Sequence, residues 1–161
     1  SSNPKWSEFK SALPTLHRAC LESLRLTAHS IGGVRAAQKD LTVSVEKTIY
    51  RIPKESSVAF AHITSSLDSN LWGEKAGVFD SDLQRYSDES YHDDYKFTTF
   101  SHGVHKCPGR ELAMIHLKLT VALLLTEYDV VLPESIPPLD FERATLAQRH
   151  APVMVSISKK R

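Results

Sequence analysis

The chain has 161 residues, of which 41% are hydrophobic and 24% charged, a balance typical of one globular domain of ordinary size. Its 20 basic and 19 acidic residues leave a net charge of +1, so nucleic acid is not predicted as a partner. Two cysteines are too few for a disulfide framework, and no apolar run approaches the ~20 residues that span a bilayer. We therefore predict a single domain over residues 1–161, intracellular, with reduced thiols and no membrane anchor in this sequence.

The first half of the chain is predicted to contain one main helix and several short strands. Residues 1–12 are a polar lead-in, and a helix is predicted from 13 to about 27, because Pro14 suits a first turn and the following apolar residues have helical spacing. Strands are predicted at 34–37, 43–45 and 49–52, and residues 58–63 are a further strand or a helix start. Residues 64–96 are polar and irregular, and a loop of that length is typical of functional segments.

The second half is predicted to be dominated by a long helix from about Arg110 to Glu127. Its apolar residues are spread around the helix, so we expect most of its circumference to be buried. A strand is predicted at 128–133 and a hairpin at 144–157, where apolar residues alternate. The predicted fold class is α+β, with two main helices, small antiparallel β pieces and a long meandering loop.

The run Phe-Ser-His-Gly-Val-His-Lys-Cys-Pro-Gly, residues 100–109, is the most informative part of the sequence. Cys107 lies just before the long helix, where unpaired N–H groups and positive potential favour a thiolate over a thiol. Gly103 and Gly109 permit backbone conformations and close approaches that a side chain would block. This chemistry suggests a thiolate held for a metal.

The residues alone leave two alternatives for this loop. Cys107 could be a buried free thiol at a helix start. It could also join His102 and His105 in a structural zinc site, although such a site needs a fourth ligand and the spacing matches no common zinc pattern.

The spacing Phe-x-x-Gly-x-x-x-Cys-x-Gly resembles the haem-binding loop of the cytochrome P-450 family. The resemblance implies that Cys107 is the axial thiolate of haem, a ligand type that favours O–O cleavage. It also implies that Phe100 packs against the haem near the sulfur. Gly103 would let the loop approach the ligand, and His105 would contact a haem propionate.

A second segment carries the same resemblance. Glu22 and Arg25 are three residues apart, which puts them on one face of a helix, a spacing that means little alone. The pair resembles the family's Glu-x-x-Arg helix, which implies a buried ion pair with Arg85 as third partner. The ion pair would lock this helix to the family's meander, which Trp72-Gly73 and residues 79–86 resemble. Arg35 would bind a propionate, and its alternative is a solvated arginine at a strand edge. The resemblance covers about residues 13–157.

The sequence departs from the family pattern at several points. Glu55 stands where the family usually has glycine, Ser81 replaces the usual proline, and Arg85 comes two residues later than is commonest. The family's distal helix with its acid-alcohol pair, and most of the substrate pocket, have no counterpart in this sequence.

Two functions follow from the resemblance. The chain is predicted to be the truncated, haem-binding C-terminal part of a monooxygenase. The resemblance implies that the parent enzyme is microsomal and oxidises an apolar small molecule. The alternative is a naturally short relative that works without haem, catalysing a non-redox step such as cyclisation or isomerisation, or binding a small molecule. Lys106, Arg110 and Lys118 are predicted to form a basic face for an electron-donor protein, or else to be ordinary solvated charge. Apolar surface left exposed is predicted to be covered by homo-oligomerisation.

Overall fold

The computed structural model describes residues 12–28, 32–80, 82, 84–86, 95–140, 142 and 149–161. All but the last residue of the predicted polar lead-in at 1–12 lies outside these ranges. Ser81 and most of the first half of the predicted 144–157 hairpin also lie outside them.

The described chain alternates short strands with helices of very different lengths. In chain order its elements are α1 (Pro14–Leu26), β1 (Gly33–Ala36), β2 (Leu41–Val45), β3 (Thr48–Ile52), β4 (Ser57–Phe60), α2 (His62–Ser66), α3 (Ser69–Trp72), α4 (Arg110–Glu127), β5 (Tyr128–Val131) and β6 (Ser156–Lys159). Two single turns of 3-10 helix lie at Gln84–Tyr86 and Gly103–His105. The predicted α+β class, with two main helices, is confirmed. Residues 58–63 contain both the predicted strand and the predicted helix start, because β4 ends at Phe60 and α2 begins at His62.

The strands form three separate antiparallel pairs among the described residues. β2 and β3 are joined by a two-residue turn in which Glu46 has a φ of 52°. β1 and β4 pair around this hairpin, from Gly33 opposite Phe60 to Ala36 opposite Ser57. This pairing places the side of β1 that carries Arg35 beside the start of α2.

The C-terminal strand differs from the prediction. β6 begins at Ser156, later than the predicted alternation of apolar residues, and pairs with β5, with Val130 opposite Ile157. Residues 144–148 lie outside the described ranges, so the hairpin within 144–157 stays a prediction. The pairing ties the chain's end to the strand that directly follows α4.

The core lies where α1 and α4 meet the meander. Its buried cluster is formed by Cys20, Leu21, Trp72, Ala76, Tyr86, Phe97 and Met114. α4 contributes less than predicted, because its buried residues are Met114, Ile115 and Lys118, whereas Leu112 is 68% exposed and Leu123 61% exposed. The prediction of a mostly buried α4 was therefore wrong, since within the described chain α4 packs through one side. No described helix is long and apolar enough to cross a membrane.

Candidate functional site

The Cys107 loop is held by a series of backbone hydrogen bonds. Ser101 N–H donates to the Thr98 carbonyl over 2.7 Å, and Cys107 N–H donates to the Phe100 carbonyl over 2.8 Å. Gly103 has a φ of 66°, and no heavy atom lies within 4 Å of the position that a Cβ would take there. The loop therefore has the left-handed glycine that its sequence predicts, with open space beside it.

Cys107 is exposed at the end of this loop, three residues before α4 begins. The alternative of a buried thiol at a helix start is therefore wrong. Among the described residues, no three His, Cys, Asp or Glu side chains come together as a metal site. The structure thus gives no support to zinc bound by His102, His105 and Cys107.

A chain of aromatic contacts connects the loop to the core. Phe100 is half-buried, with its ring centroid 6.4 Å from that of Phe97. Phe97 in turn meets Tyr86 edge-on at 6.4 Å. Phe100 also makes a cation–π contact, because the guanidinium of Arg110 lies 5.8 Å from its ring centroid. Phe100 thus anchors the loop to both the core and the first residue of α4.

A cavity of about 310 Å³ brings together residues that are far apart in the sequence. Arg35 of β1 and His105 of the Cys107 loop both line it, together with His62 and His102. His62 Nδ1 lies 2.9 Å from the Thr98 hydroxyl. None of the described residues that line the cavity is acidic, so it offers hydrogen-bond donors and positive charge to an anionic group.

A second constellation lies at the base of the core, around Glu22. One carboxylate oxygen accepts from Arg25 at 2.7 Å, from Arg85 at 2.8 Å and from the Asp80 N–H at 2.9 Å. The other oxygen accepts from Arg25 and from the Tyr86 hydroxyl, each at 2.8 Å. The side chains of Glu22 and Arg25 are both 0% exposed, so this pair is fully desolvated.

Arg25 extends this constellation to the meander. Its Nη1 donates to the carbonyl of Ser66 and, over 2.6 Å, to that of Ala76. Its guanidinium lies 5.0 Å from the centroid of the Trp72 ring. One planar side chain therefore connects α1, α2 and the turn after α3, which a point charge such as lysine could not do.

The network also determines which groups carry charge. Burial alone would raise the pKa of Glu22, but the hydrogen bonds from Arg25, the Asp80 N–H and Tyr86 outweigh it and lower that pKa. Burial, reinforced by the Glu22 charge, raises the pKa of Tyr86 far above its usual range. Glu22 is therefore ionised and Tyr86 is a permanent donor at neutral pH.

Lys118 contradicts the predicted basic face. It is 2% exposed, and its Nζ donates to the Ala12 carbonyl over 3.1 Å. For Lys118 the prediction of an exposed charge was wrong, because it lies on the side of α4 that faces the core rather than solvent. Lys106 is exposed and Arg110 half-buried, so these two keep the predicted position near the Cys107 loop.

Sequence reasoning missed several residues that the structure brings to these sites. The Tyr86 hydroxyl donates to Glu22. Its place directly after Arg85, the predicted third partner, could have indicated this contact. His62 lines the cavity with Arg35, but an isolated histidine carries no spacing signal. His102 also lines it, although the sequence suggested this residue only as a zinc ligand. These contacts depend on how the meander folds back, which local patterns do not encode.

The comparisons with known proteins agree with this geometry. The family model described as Cytochrome P-450 matches residues 1–157. Cytochrome P-450 7A1 of Sus scrofa is 32% identical over 151 residues, which cover 84% of this chain and 29% of that protein. Cytokinin hydroxylase of Arabidopsis thaliana is 27% identical over 145 residues, covering 90% of this chain and 25% of that protein. The solved structure of retinoic acid-bound cyanobacterial CYP120A1 superposes with a TM-score of 0.78 at 21% identity, covering 99% of this chain and 35% of that one.

The chain belongs to the cytochrome P-450 family, whose members bind haem and include monooxygenases. It spans under a third of the length of the curated relatives reported above.

The residues present fit a haem group. The loop offers one exposed thiol, and a left-handed glycine with open space lies four residues before it. Arg35 and His105, which line one donor-rich cavity, suit the two carboxylates that a haem carries.

Proposed function

We propose that Cys107 is the axial thiolate of haem in this protein, and that the chain is the haem-binding part of a monooxygenase. The observation that carries the proposal is the cavity that joins Arg35 of β1 to His105 of the Cys107 loop, 70 positions later in the sequence. A thiol on its own would be weak support. A thiol whose loop shares a donor-rich cavity with a distant arginine matches a ligand that carries both iron and carboxylates.

Each residue has a defined part in this proposal. Cys107 would hold the iron, and Phe100 would fill the space between the sulfur and the core. Arg35 and His105 would orient the group through its carboxylates. When bound through a thiolate, haem supplies an electron-rich iron suited to oxygen activation.

We propose an apolar small molecule as the substrate of the whole enzyme. Two relatives are named for sterols: the cholesterol 7-alpha-monooxygenase of Cricetulus griseus, 32% identical, and the 25-hydroxycholesterol 7-alpha-hydroxylase of Rattus norvegicus, 30% identical. Cytokinin hydroxylase is named for a different compound, so only the sterol-named relatives support an apolar substrate. A sterol is the first probe to test.

We also propose two protein partners. Lys106 and Arg110 lie beside the Cys107 loop, where an acidic electron-donor protein could dock. A second copy of the chain is proposed to cover the apolar stripe of α4, in which Leu112, Leu119 and Leu123 are exposed at helical spacing. Sedimentation velocity tests the second partner, because a Leu119→Lys/Leu123→Glu variant should be monomeric at concentrations where the parent chain associates.

A haem titration tests the main proposal. The purified chain is titrated with ferric haem, reduced and exposed to carbon monoxide, and the red-shifted band of a thiolate-ligated haem is expected. Cys107→Ser should lose that band. Cys20→Ala, at the buried cysteine, is the matched control and should keep it. A folded, monodisperse chain that shows no Soret band would reject the proposal and favour the haem-independent relative.

A further inference from the structure

The side chain of His102 ties the Cys107 loop to the core. Its Nε2 lies 3.0 Å from the carbonyl oxygen of Phe97. Because that oxygen only accepts, Nε2 carries the proton and donates. Phe97 is 3% exposed and belongs to the buried cluster, so the bond fixes the loop to a rigid neighbour.

The same imidazole also contacts the ring of Tyr95. The two ring centroids are 4.6 Å apart, with the planes inclined by 47°. His102 therefore has a hydrogen bond on its edge and an aromatic contact on its face, which together determine its orientation.

The turn that these contacts hold contains a strained residue. Ser101 has a φ of 58°, in the left-handed region that residues with a Cβ rarely adopt. Such a conformation persists when surrounding contacts over-determine it. The Ser101 N–H bond to Thr98 helps, but His102, the next residue, supplies the contact that reaches the core.

We propose that His102 is a positioning residue for the Cys107 ligand, an inference that rests on the proposed haem-binding function. It acts through the backbone, because Cys107 N–H donates to the Phe100 carbonyl over 2.8 Å, and residue 100 lies inside the segment that His102 braces. Loss of the bond to Phe97 would free the strained turn, and Cys107 would lose its fixed position.

Three variants separate the contributions of the His102 N–H donor, the His102 ring and the backbone strain at Ser101. His102→Phe keeps a ring for Tyr95 but has no donor, whereas His102→Gln keeps an N–H donor without the ring. Ser101→Gly removes the strain that the contacts oppose. We expect His102→Phe to weaken the fixed position of Cys107 the most, and His102→Gln to keep most of it. Ser101→Gly combined with His102→Phe should recover part of what His102→Phe alone loses.

The first readout needs no haem. Hydrogen exchange of the Cys107 amide in the haem-free chain should be roughly two- to tenfold faster in His102→Phe, the range expected for loss of one neutral hydrogen bond. If that variant does not fold, Tyr95→Ala replaces it, because this side chain is 65% exposed and its removal takes away the ring contact with His102. Unchanged exchange in the folded variant would overturn the inference.

The second readout is spectroscopic. In the reduced, carbon monoxide-bound chain, the fraction of haem with the thiolate band should fall in His102→Phe and recover in His102→Gln. Faster exchange with an unchanged band would show a structural contact without a role in placing the ligand, which overturns the inference. If the parent chain binds no haem, the proposed function fails, and the exchange measurement alone decides whether His102 positions the Cys107 backbone.

Discussion

Removal of the Glu22 carboxylate should unfold this protein or come close to it. Five hydrogen bonds converge on its two oxygens, from Arg25, Asp80, Arg85 and Tyr86. Loss of one partner from a buried ion pair costs about 3–5 kcal/mol, because the remaining charge has neither water nor a counterion. Natural domains have a free energy of unfolding of about 5–15 kcal/mol. Glu22→Ala should therefore remove a large part of this stability and yield insoluble or haem-free protein.

A milder substitution makes this loss measurable. Glu22→Gln keeps the volume and one acceptor, and we expect about 3 kcal/mol of destabilisation. With an m-value of about 1.5–3 kcal/mol per molar urea, the unfolding midpoint should fall by roughly 1–2 M in urea titrations followed by circular dichroism. The exposed Glu134 provides the control, and Glu134→Gln should leave the midpoint unchanged. A soluble Glu22→Ala variant with the parent's midpoint would refute the reasoning.

Three further predictions concern Gly32, the pH dependence of the Glu22 network and the two cysteines. Gly32→Ala should lower the free energy of unfolding by about 1–3 kcal/mol, measured by thermal melting, because a Cβ there would collide with the His62 ring. Because the folded-state pKa of Glu22 is lowered, its stabilisation should be complete above the unfolded value of ~4.3 and be lost as pH falls through the folded value. Urea midpoints between pH 3 and 7 should show this loss in the parent and not in Glu22→Gln. In the haem-free chain a thiol reagent should label exposed Cys107 rapidly and Cys20 slowly, because burial raises the pKa of Cys20 despite the opposing charge of Lys118.

Matched controls make these outcomes decisive. Gly77→Ala adds a Cβ where no atom lies within 4 Å, so its melting temperature should stay near the parent's. Equal losses at both glycines would contradict the packing argument. In the labelling experiment, Cys107→Ser should abolish the fast phase, and a fast phase that survives would assign it to Cys20.

The two main helices and the Cys107 loop could be predicted because their signals are local. Pro14 marks the start of α1, and Gly109 directly precedes α4, so each helix begins where its sequence indicates. The loop motif fixes a left-handed glycine and a cysteine at set spacing. None of these features needs a distant residue to be recognised.

Features that depend on distant neighbours could not be predicted. α2 and α3 are only 5 and 4 residues long, too short to be stable alone. Contacts with the core hold them, because the Ser66 carbonyl accepts from Arg25 and Trp72 belongs to the buried cluster. Burial of Lys118 depends on which side of α4 meets the core. The pairing of β6 with β5 depends on the path of the chain between them.

The Glu22 network has a consequence for how the chain folds. Apart from the two bonds between Glu22 and Arg25, its bonds join residues 41 to 64 positions apart, from Arg25 with Ser66 to Glu22 with Tyr86. The entropy of closing such loops must be overcome before any one bond forms, and a single buried bond does not compensate for it. α1 and the meander should therefore order together in one cooperative event, and a partly formed network would hold an unpaired charge away from water. The carboxylate of Glu22 thus raises the free energy of partly folded states and also stabilises the folded state.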